Sequence, residues 1–345
     1  MNDGSSIDEV PSHVAMEGSK WVWMLANLRC DQCAARYEAS AGSLQCSNCD
    51  QKQNFSGRAI NFLDQDTVEQ FHIDATDNVS DHPFDGNAMA IIKRVGETGG
   101  MVLDCGSGYK SSSFPHVVQL EITPYRHVDI LAVNQRLPFV DNCFDAVFSL
   151  DVLEHVDQPF VAASEIARVM KPGGVLYIDL PFLQPEHGYP HHYFNASRSG
   201  LVQLFEGHLN VVDHLVPASG HPIFWLHWAL SIYASGLPEE TERAFRSMTI
   251  DDLLAHEPTA WLDNPITSGL SEAAQWIIAS TTQAILRKPV REHPEPVSEI
   301  DLTSLPGFAH RQSNQDLNGA DSTVPTRSLL TRAIGKAKRT IKRTS

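Results

Sequence analysis

Two Cys-x2-Cys pairs stand twelve residues apart, Cys30 with Cys33 and Cys46 with Cys49. Paired thiols at this spacing form two knuckles. Four thiolates from two knuckles close a tetrahedral zinc site with no position left for a substrate, so the expected role is structural. The redox alternative, exchanging thiols, fits this spacing less well. A second reactive group is the run Pro181–Leu201, PFLQPEHGYPHHYFNASRSGL. It holds Glu186, His187, Tyr189, His191, His192, Tyr193 and Asn195, side chains that can move a proton or hold an acceptor hydroxyl by hydrogen bonds. His155 is a further candidate base. A third group is the glycine turn VLDCGSG at 102–108, where Asp104 closes an apolar run and Gly106 and Gly108 follow. Glycines there let a ligand lie against the backbone.

These groups need elements to hold them. MVLDC (101–105), HVVQLE (116–121), HVDILA (127–132), FDAVFSL (144–150) and GVLYIDL (174–180) read as five short buried strands. Residues 159–170 have helical spacing, and a helix is also expected from Pro83 to Val95 and directly after Gly108. Strands alternating with helices predict a parallel sheet with right-handed crossovers. In such a sheet ligands bind at the carboxyl ends of the strands, where the glycine turn and the histidine run both fall. A helix is expected over 197–206, a sixth strand over 209–216, helices over 222–280 and a last strand at 283–288.

Glu121 ends the second strand, seventeen residues after Asp104. A carboxylate there can accept both hydroxyls of a ribose. LPFVDNCFD (137–145), SLDVLEHV (149–156) and MKPGG (170–174) follow in order. Together these segments resemble the class I S-adenosylmethionine-dependent methyltransferases, in the branch that acts on small molecules, over about residues 84–216. The resemblance implies a Rossmann-like seven-stranded sheet, its last strand antiparallel, with helices on both faces. It implies S-adenosylmethionine as cofactor. Asp104, Gly106, Ser107 and Gly108 would line the methionine end. Glu121 and Ile122 would meet the ribose, and Leu150 and Asp151 would lie beside the sulfonium. The chain departs from the family at two places. Tyr109 and Lys110 stand where a third glycine is common, and Val133 and Asn134 stand where an Asp often meets the adenine amine. The Asn134 carbonyl can accept that hydrogen bond. A nicotinamide fingerprint would need a glycine at Ser111, and no phosphate loop of the Gly-Lys-Ser/Thr type occurs.

The segment 28–63 resembles the small zinc-ribbon activators of tRNA and protein methyltransferases, with Phe55, Gly57 and Phe62 in comparable places. The histidine run resembles, more loosely, a loop of bacterial methyltransferases that accompany glycan-assembly enzymes. The acceptor is therefore expected to be a small molecule or a saccharide, free or lipid-linked, with His155, His187, His191 and His192 as candidate catalytic residues. RNA or a translation factor is the alternative acceptor. An Asn-Pro-Pro-Tyr type motif of nitrogen methylation is missing after the fourth strand. A non-catalytic scaffold is the alternative outside enzymes.

Length, composition and charge bound the rest. The 345 residues are 42% hydrophobic and 20% charged, with 26 basic against 42 acidic residues and a net charge of −16. Seven of the basic residues lie in the last twenty, which contain no acid, so the body is more acidic still. Such a body is a poor nucleic-acid surface. The expected organisation is a disordered 1–20, a zinc ribbon at 21–64, a connector and first helix at 65–100, and a methyltransferase domain at 101–290 with a helical insertion at 222–280. A disordered linker at 291–322 and a basic amphipathic helix at 323–345 would follow. The polar start and the lack of a long apolar run lead us to expect a cytoplasmic protein. Its tail could rest weakly on the inner membrane face.

Overall fold

The computed structural model describes residues 19–40, 42–73, 81–187 and 191–280. The chain divides into two compact units between Gly220 and His221. The first unit starts with α1 (Ser19–Asn27), followed by β1 (Tyr37–Ser40), β2 (Ser43–Cys46), β3 (Lys52–Ser56), β4 (Ala59–Asn61) and α2 (Gln65–Gln70). Then come α3 (Gly86–Glu97), β5 (Val102–Cys105), β6 (Val117–Glu121), β7 (Ile130–Leu131) and β8 (Phe144–Leu150). It ends with α4 (Pro159–Val169), β9 (Met170–Asp179) and α5 (Arg198–Leu204).

The expected α/β architecture is present, but the sheet has nine strands among the described residues, in the order β1-β2-β3-β4-β7-β6-β5-β8-β9. β7, β6, β5, β8 and β9 are parallel. The cysteine module does not form a separate layer in front of this sheet. Its strands β1–β4 pair antiparallel, and β4 then pairs parallel with β7, Ile60 opposite Ile130 and Asn61 opposite Leu131. A parallel edge strand has unpaired backbone groups, and the module supplies them with partners.

β5 is buried at every residue, as a central parallel strand requires. Alternation sends its side chains to opposite faces. Val102 joins Val117, Ala146 and Phe148 beneath Ala88, Ile92 and Val95 of α3. Leu103 and Cys105 join Val118, Leu120 and Val147 on the other face, with Ala162, Ile166 and Val169 of α4 and Met24 of α1. Helices thus lie on both faces.

Several expectations need correction. No helix follows Gly108. Three serines and the Phe114–Pro115 pair favour turns over a helix interior, and the loop runs straight into β6. The third strand is only two residues long; before it Asp129 N–H donates to Gln119 O at 2.8 Å, and the Gln119 N–H goes to the Asp129 side chain at 3.0 Å. α3 starts at Gly86, not Pro83, since Asp85 caps it by accepting from Ala88 N at 2.7 Å. It runs past Gly96, whose missing side chain leaves room for the His116 ring; a Cβ there would lie 2.7 Å from it. Residues 209–216 form no strand: Val211, Val212, Leu215 and Val216 are exposed and pair with no described strand.

The second unit contains α6 (Pro222–Ser235), α7 (Glu239–Ser247), α8 (Ile250–Leu254), α9 (Pro265–Ser268) and α10 (Glu272–Ile277). Its small core is Ile232, Ala274 and Ile277, flanked by Trp228, Leu270 and Ile278. The expected strand at 283–288, the linker, the basic tail and most of the N-terminal segment lie outside the described residues. No helix among the described residues is long and apolar enough to cross a membrane.

Asp129, fully buried at the start of β7, ties the module to the sheet. It pairs with Lys20 of α1 and with Arg58 between β3 and β4, each at 2.7 Å. Removing one partner of a buried pair strands the other charge, and Lys20 is only 10% exposed. Asp129→Ala is therefore expected to cost about 3–5 kcal/mol, read from urea or thermal unfolding. A cost under about 1 kcal/mol would show that the pair does not join these elements.

Candidate functional site

One pocket opens at the carboxyl ends of the parallel strands. Gly106 and Gly108 from the turn after β5, Glu121 and Ile122 from the end of β6, and Asn134 beyond β7 line it. Leu150 and Asp151 from the end of β8 line it too, with His155, His191 and Tyr193 at another side.

The turn is locked by its own chemistry. Gly106 has φ +68° and Gly108 φ +60°. A Cβ on Gly106 would meet the Val152 side chain at 2.5 Å. Glu121 Oε2 accepts from Gly108 N–H at 2.8 Å and Oε1 from Ile122 N–H at 2.7 Å. A carboxylate has about four acceptor sites, so each oxygen keeps a lone pair for a further donor. Burial pushes the Glu121 carboxyl up despite these two amides. Asn134 is buried, and its Oδ1 has no hydrogen-bond partner. A buried, orphaned acceptor at a pocket wall is a place for a ligand N–H.

Asp104 and Ser107, both buried, are not among the lining residues. The Asp104 carboxylate faces Lys110 instead, Oδ2 to Nζ 3.1 Å. Lys110 Nζ also donates to Ser107 O at 2.6 Å and sits 4.7 Å from the centre of the Phe84 ring. Lys110, one of the two residues replacing the common third glycine, thus closes the turn from behind. Burial pushes the Asp104 carboxyl up, and Lys110 works against that shift. Asp151 has φ +53°, rare for a residue with a side chain. The surrounding protein, and after it Asp179, push its carboxyl up to about 6.

The histidines gather at one end. Rings of His155 and His187 are 5.2 Å apart, and those of His187 and His192 are 4.4 Å apart. His155 Nδ1 lies 2.5 Å from the His191 carbonyl, and His187 Nδ1 lies 2.9 Å from the Pro185 carbonyl. A carbonyl can only accept, so both Nδ1 atoms carry the proton and both Nε2 atoms present lone pairs. His192 is fully used: Nδ1 accepts from His187 N–H at 3.2 Å, and Nε2 bonds Asn195 Oδ1 at 2.8 Å. Burial pushes His155 down and His187 down to about 4, so both imidazoles are neutral at pH 7. Tyr189 lies outside the described residues, and Glu186 does not line the pocket.

Sequence reasoning passed over Phe71, His72 and Ile73 of the connector, which line the pocket, and Glu154, which is fully buried between Leu153 and His155. A lone acid inside the apolar run VLEHV was the available signal for Glu154. His72 (φ +51°) carried no sequence signal.

The four module cysteines are free thiols that converge. Cys33 Sγ is 3.4 Å from Cys46 Sγ and 3.6 Å from Cys49 Sγ, and Cys30 Sγ is 3.6 Å from Cys49 Sγ. A tetrahedral site with metal–sulfur bonds of about 2.3 Å needs sulfurs roughly 3.8 Å apart. The sulfurs share protons among themselves: the Ala35 N–H and neighbouring sulfurs pull the Cys33 thiol down to about 6, while the Cys49 thiol is pushed up to about 12.

Residues 103–178 match the family model described as a methyltransferase domain. An uncharacterized methyltransferase of Mycobacterium leprae is 29% identical over 159 residues, which cover 39% of this chain and 58% of that protein. One of Mycobacteroides abscessus is 32% identical over 127 residues, covering 29% and 49%. The chain therefore spans about half the length of these relatives. Among solved structures, the YcgJ protein of Bacillus subtilis shares 21% identity at a TM-score of 0.25, covering 31% of this chain and 59% of that one. A complex of the Haloferax volcanii Trm112 methyltransferase activator with a methyltransferase shares 21% identity at 0.27, covering 36% and 70%. It is over the glycine turn, Glu121 and the exit of β8 that this chain is similar to methyltransferases.

Proposed function

We propose that the chain transfers the methyl group of S-adenosylmethionine to a hydroxyl of a small-molecule or saccharide acceptor. The observation that carries this reading is the orphaned Asn134 Oδ1 and the half-satisfied Glu121 carboxylate opening onto one pocket with the glycine turn. S-adenosylmethionine supplies an activated methyl group on a sulfonium. Asn134 would accept from the adenine amine and Glu121 from the ribose hydroxyls, while Gly106 and Gly108 let the methionine portion lie against backbone. Asp151, which lines the same pocket, would set a carboxylate against the cation. His155, neutral and lining the pocket, can take a proton from an acceptor hydroxyl. The four cysteines would hold a structural zinc.

The test is calorimetric titration of the full chain with S-adenosylmethionine. Labelled methyl transfer to a panel of hydroxylated small molecules, oligosaccharides, lipid-linked saccharides and tRNA would follow. Lack of cofactor binding would favour the scaffold reading, and transfer to tRNA alone would replace the acceptor class.

The Asp151 carboxyl gives a pH signature. It is ionised above about 6, and the ionised form attracts the cationic cofactor. Affinity should therefore be full at pH 7.5 and fall as the pH drops through 6, by at most about tenfold per unit. In Asp151→Asn that dependence should vanish. A wild-type affinity equal at pH 5 and 7.5 would place Asp151 away from the cation.

A further inference from the structure

We propose that Glu154, His155 and His187 form a second metal site, for a divalent transition ion of the zinc class, at the acceptor end of the pocket. One ligand atom from each residue lies within 4.8 Å of the others. Glu154 and His155 come from the short turn after β8, and His187 from the loop after β9. Neither Glu154 oxygen has a hydrogen-bond partner, although the side chain is fully buried. His155 Nε2 lies 3.7 Å from Oε1, too far for a hydrogen bond. Because the His191 carbonyl takes the proton on Nδ1, that Nε2 presents a lone pair. A cation between them would give a partner both to the orphaned Glu154 oxygens and to that lone pair. The Pro185 carbonyl orients His187 in the same sense, leaving the lone pair on Nε2. Backbone carbonyls fixing the tautomer and orientation of ligand imidazoles are the usual outer support of a metal site.

Two imidazoles and one carboxylate suit zinc, manganese, iron, cobalt or nickel rather than magnesium or calcium, which prefer all-oxygen sets. Three protein ligands leave coordination positions open, unlike the closed cysteine set. His155 lines the pocket, so an open position faces the acceptor. The catalytic consequence rests on the methyl-transfer reading. An acceptor hydroxyl bound there would lose its proton to solvent more readily. Its oxygen would then form the new bond to the methyl carbon as the carbon–sulfur pair returns to sulfur, and His155 would serve as a ligand rather than a base.

The experiment is metal stoichiometry of the full chain after zinc loading and exhaustive desalting. Two equivalents are expected in the wild type, and one each in Glu154→Gln and His187→Asn. Cobalt added to protein holding a single zinc should give weak visible bands without sulfur charge transfer, absent from both variants. Titration with S-adenosylmethionine separates this from the function itself. Neither Glu154 nor His187 lines the pocket, so both variants should bind cofactor within about threefold of wild type, which also shows that they are folded. One equivalent in the wild type, as a proton shared between Glu154 and His155 would give, overturns the site. A second equivalent that survives in both variants overturns it equally.

Discussion

Gly106→Val is expected to weaken S-adenosylmethionine binding at least about 100-fold, roughly 3 kcal/mol, while the protein remains folded. Two causes add. Gly106 has φ +68°, a region that a β-branched residue adopts only under strain. Its Cβ would also lie 2.5–2.7 Å from the two methyls of Val152, which would have to rotate away. Both Gly106 and Val152 line the pocket, so either adjustment fills space the cofactor needs. Gly106→Ala should be milder, and adding Val152→Ala should restore part of its loss by removing the clash but not the strain. Gly57 serves as a control: it too has positive φ, but a Cβ there meets nothing within 4 Å, so Gly57→Ala should cost stability without touching affinity. Undiminished binding by folded Gly106→Val would remove the turn from the cofactor site.

How far the sequence carries depends on how local each determinant is. β5 and β8 were readable because each is a short, largely apolar run followed directly by residues that reach the pocket, Gly106 or Asp151. The cysteines were readable because a knuckle is a local motif. What failed depended on partners distant in the chain. A strand exists only when paired, and the apolar run 209–216 has no described partner. The merging of the cysteine module with the sheet rests on two register pairs between β4 and β7, about seventy residues apart, and nothing local marks them. The helix expected after Gly108 rested on the strand and glycine-turn pattern, which Ser111–Ser113 and Pro115 override.

The site was legible in part for the same reason. Gly106, Gly108, Glu121, Ile122, Asn134, Leu150 and Asp151 all reach the pocket because strand ends of one sheet converge there. Asp104 does not, because Lys110 holds its carboxylate. Five residues separate the two in sequence, but no pattern announces that a lysine in a serine-rich loop will fold back to close the turn. The convergence of Glu154 with His187 was equally hidden, since it depends on how the loop after β9 returns to the end of β8.

Cys46→Ser, or removal of the proposed zinc by a chelator, is expected to lower stability by more than about 3 kcal/mol, a Tm decrease of roughly 10 °C. The reason lies in what the knuckles hold. Cys30, Tyr37, Leu44 and Cys46 are buried in the same core as Leu103, Phe139, Phe144 and Ile166. Trp21 packs on Phe55 at 6.3 Å and Tyr37 on Phe62 at 5.8 Å, so the module's aromatic residues depend on the short hairpins keeping their shape. Without the metal, four buried or half-buried sulfurs repel or must protonate, and strands of three to five residues have little else to fix them. The damage should reach β7 through its pairing with β4, and hence Ala132–Gln135 at the pocket wall. Cofactor affinity should fall far less than in Gly106→Val, by under about tenfold, since the glycine turn and Glu121 are held by β5 and β6. A Cys46→Ser protein that lacks the metal yet melts within about 2 °C of wild type would show that the module is stable without it.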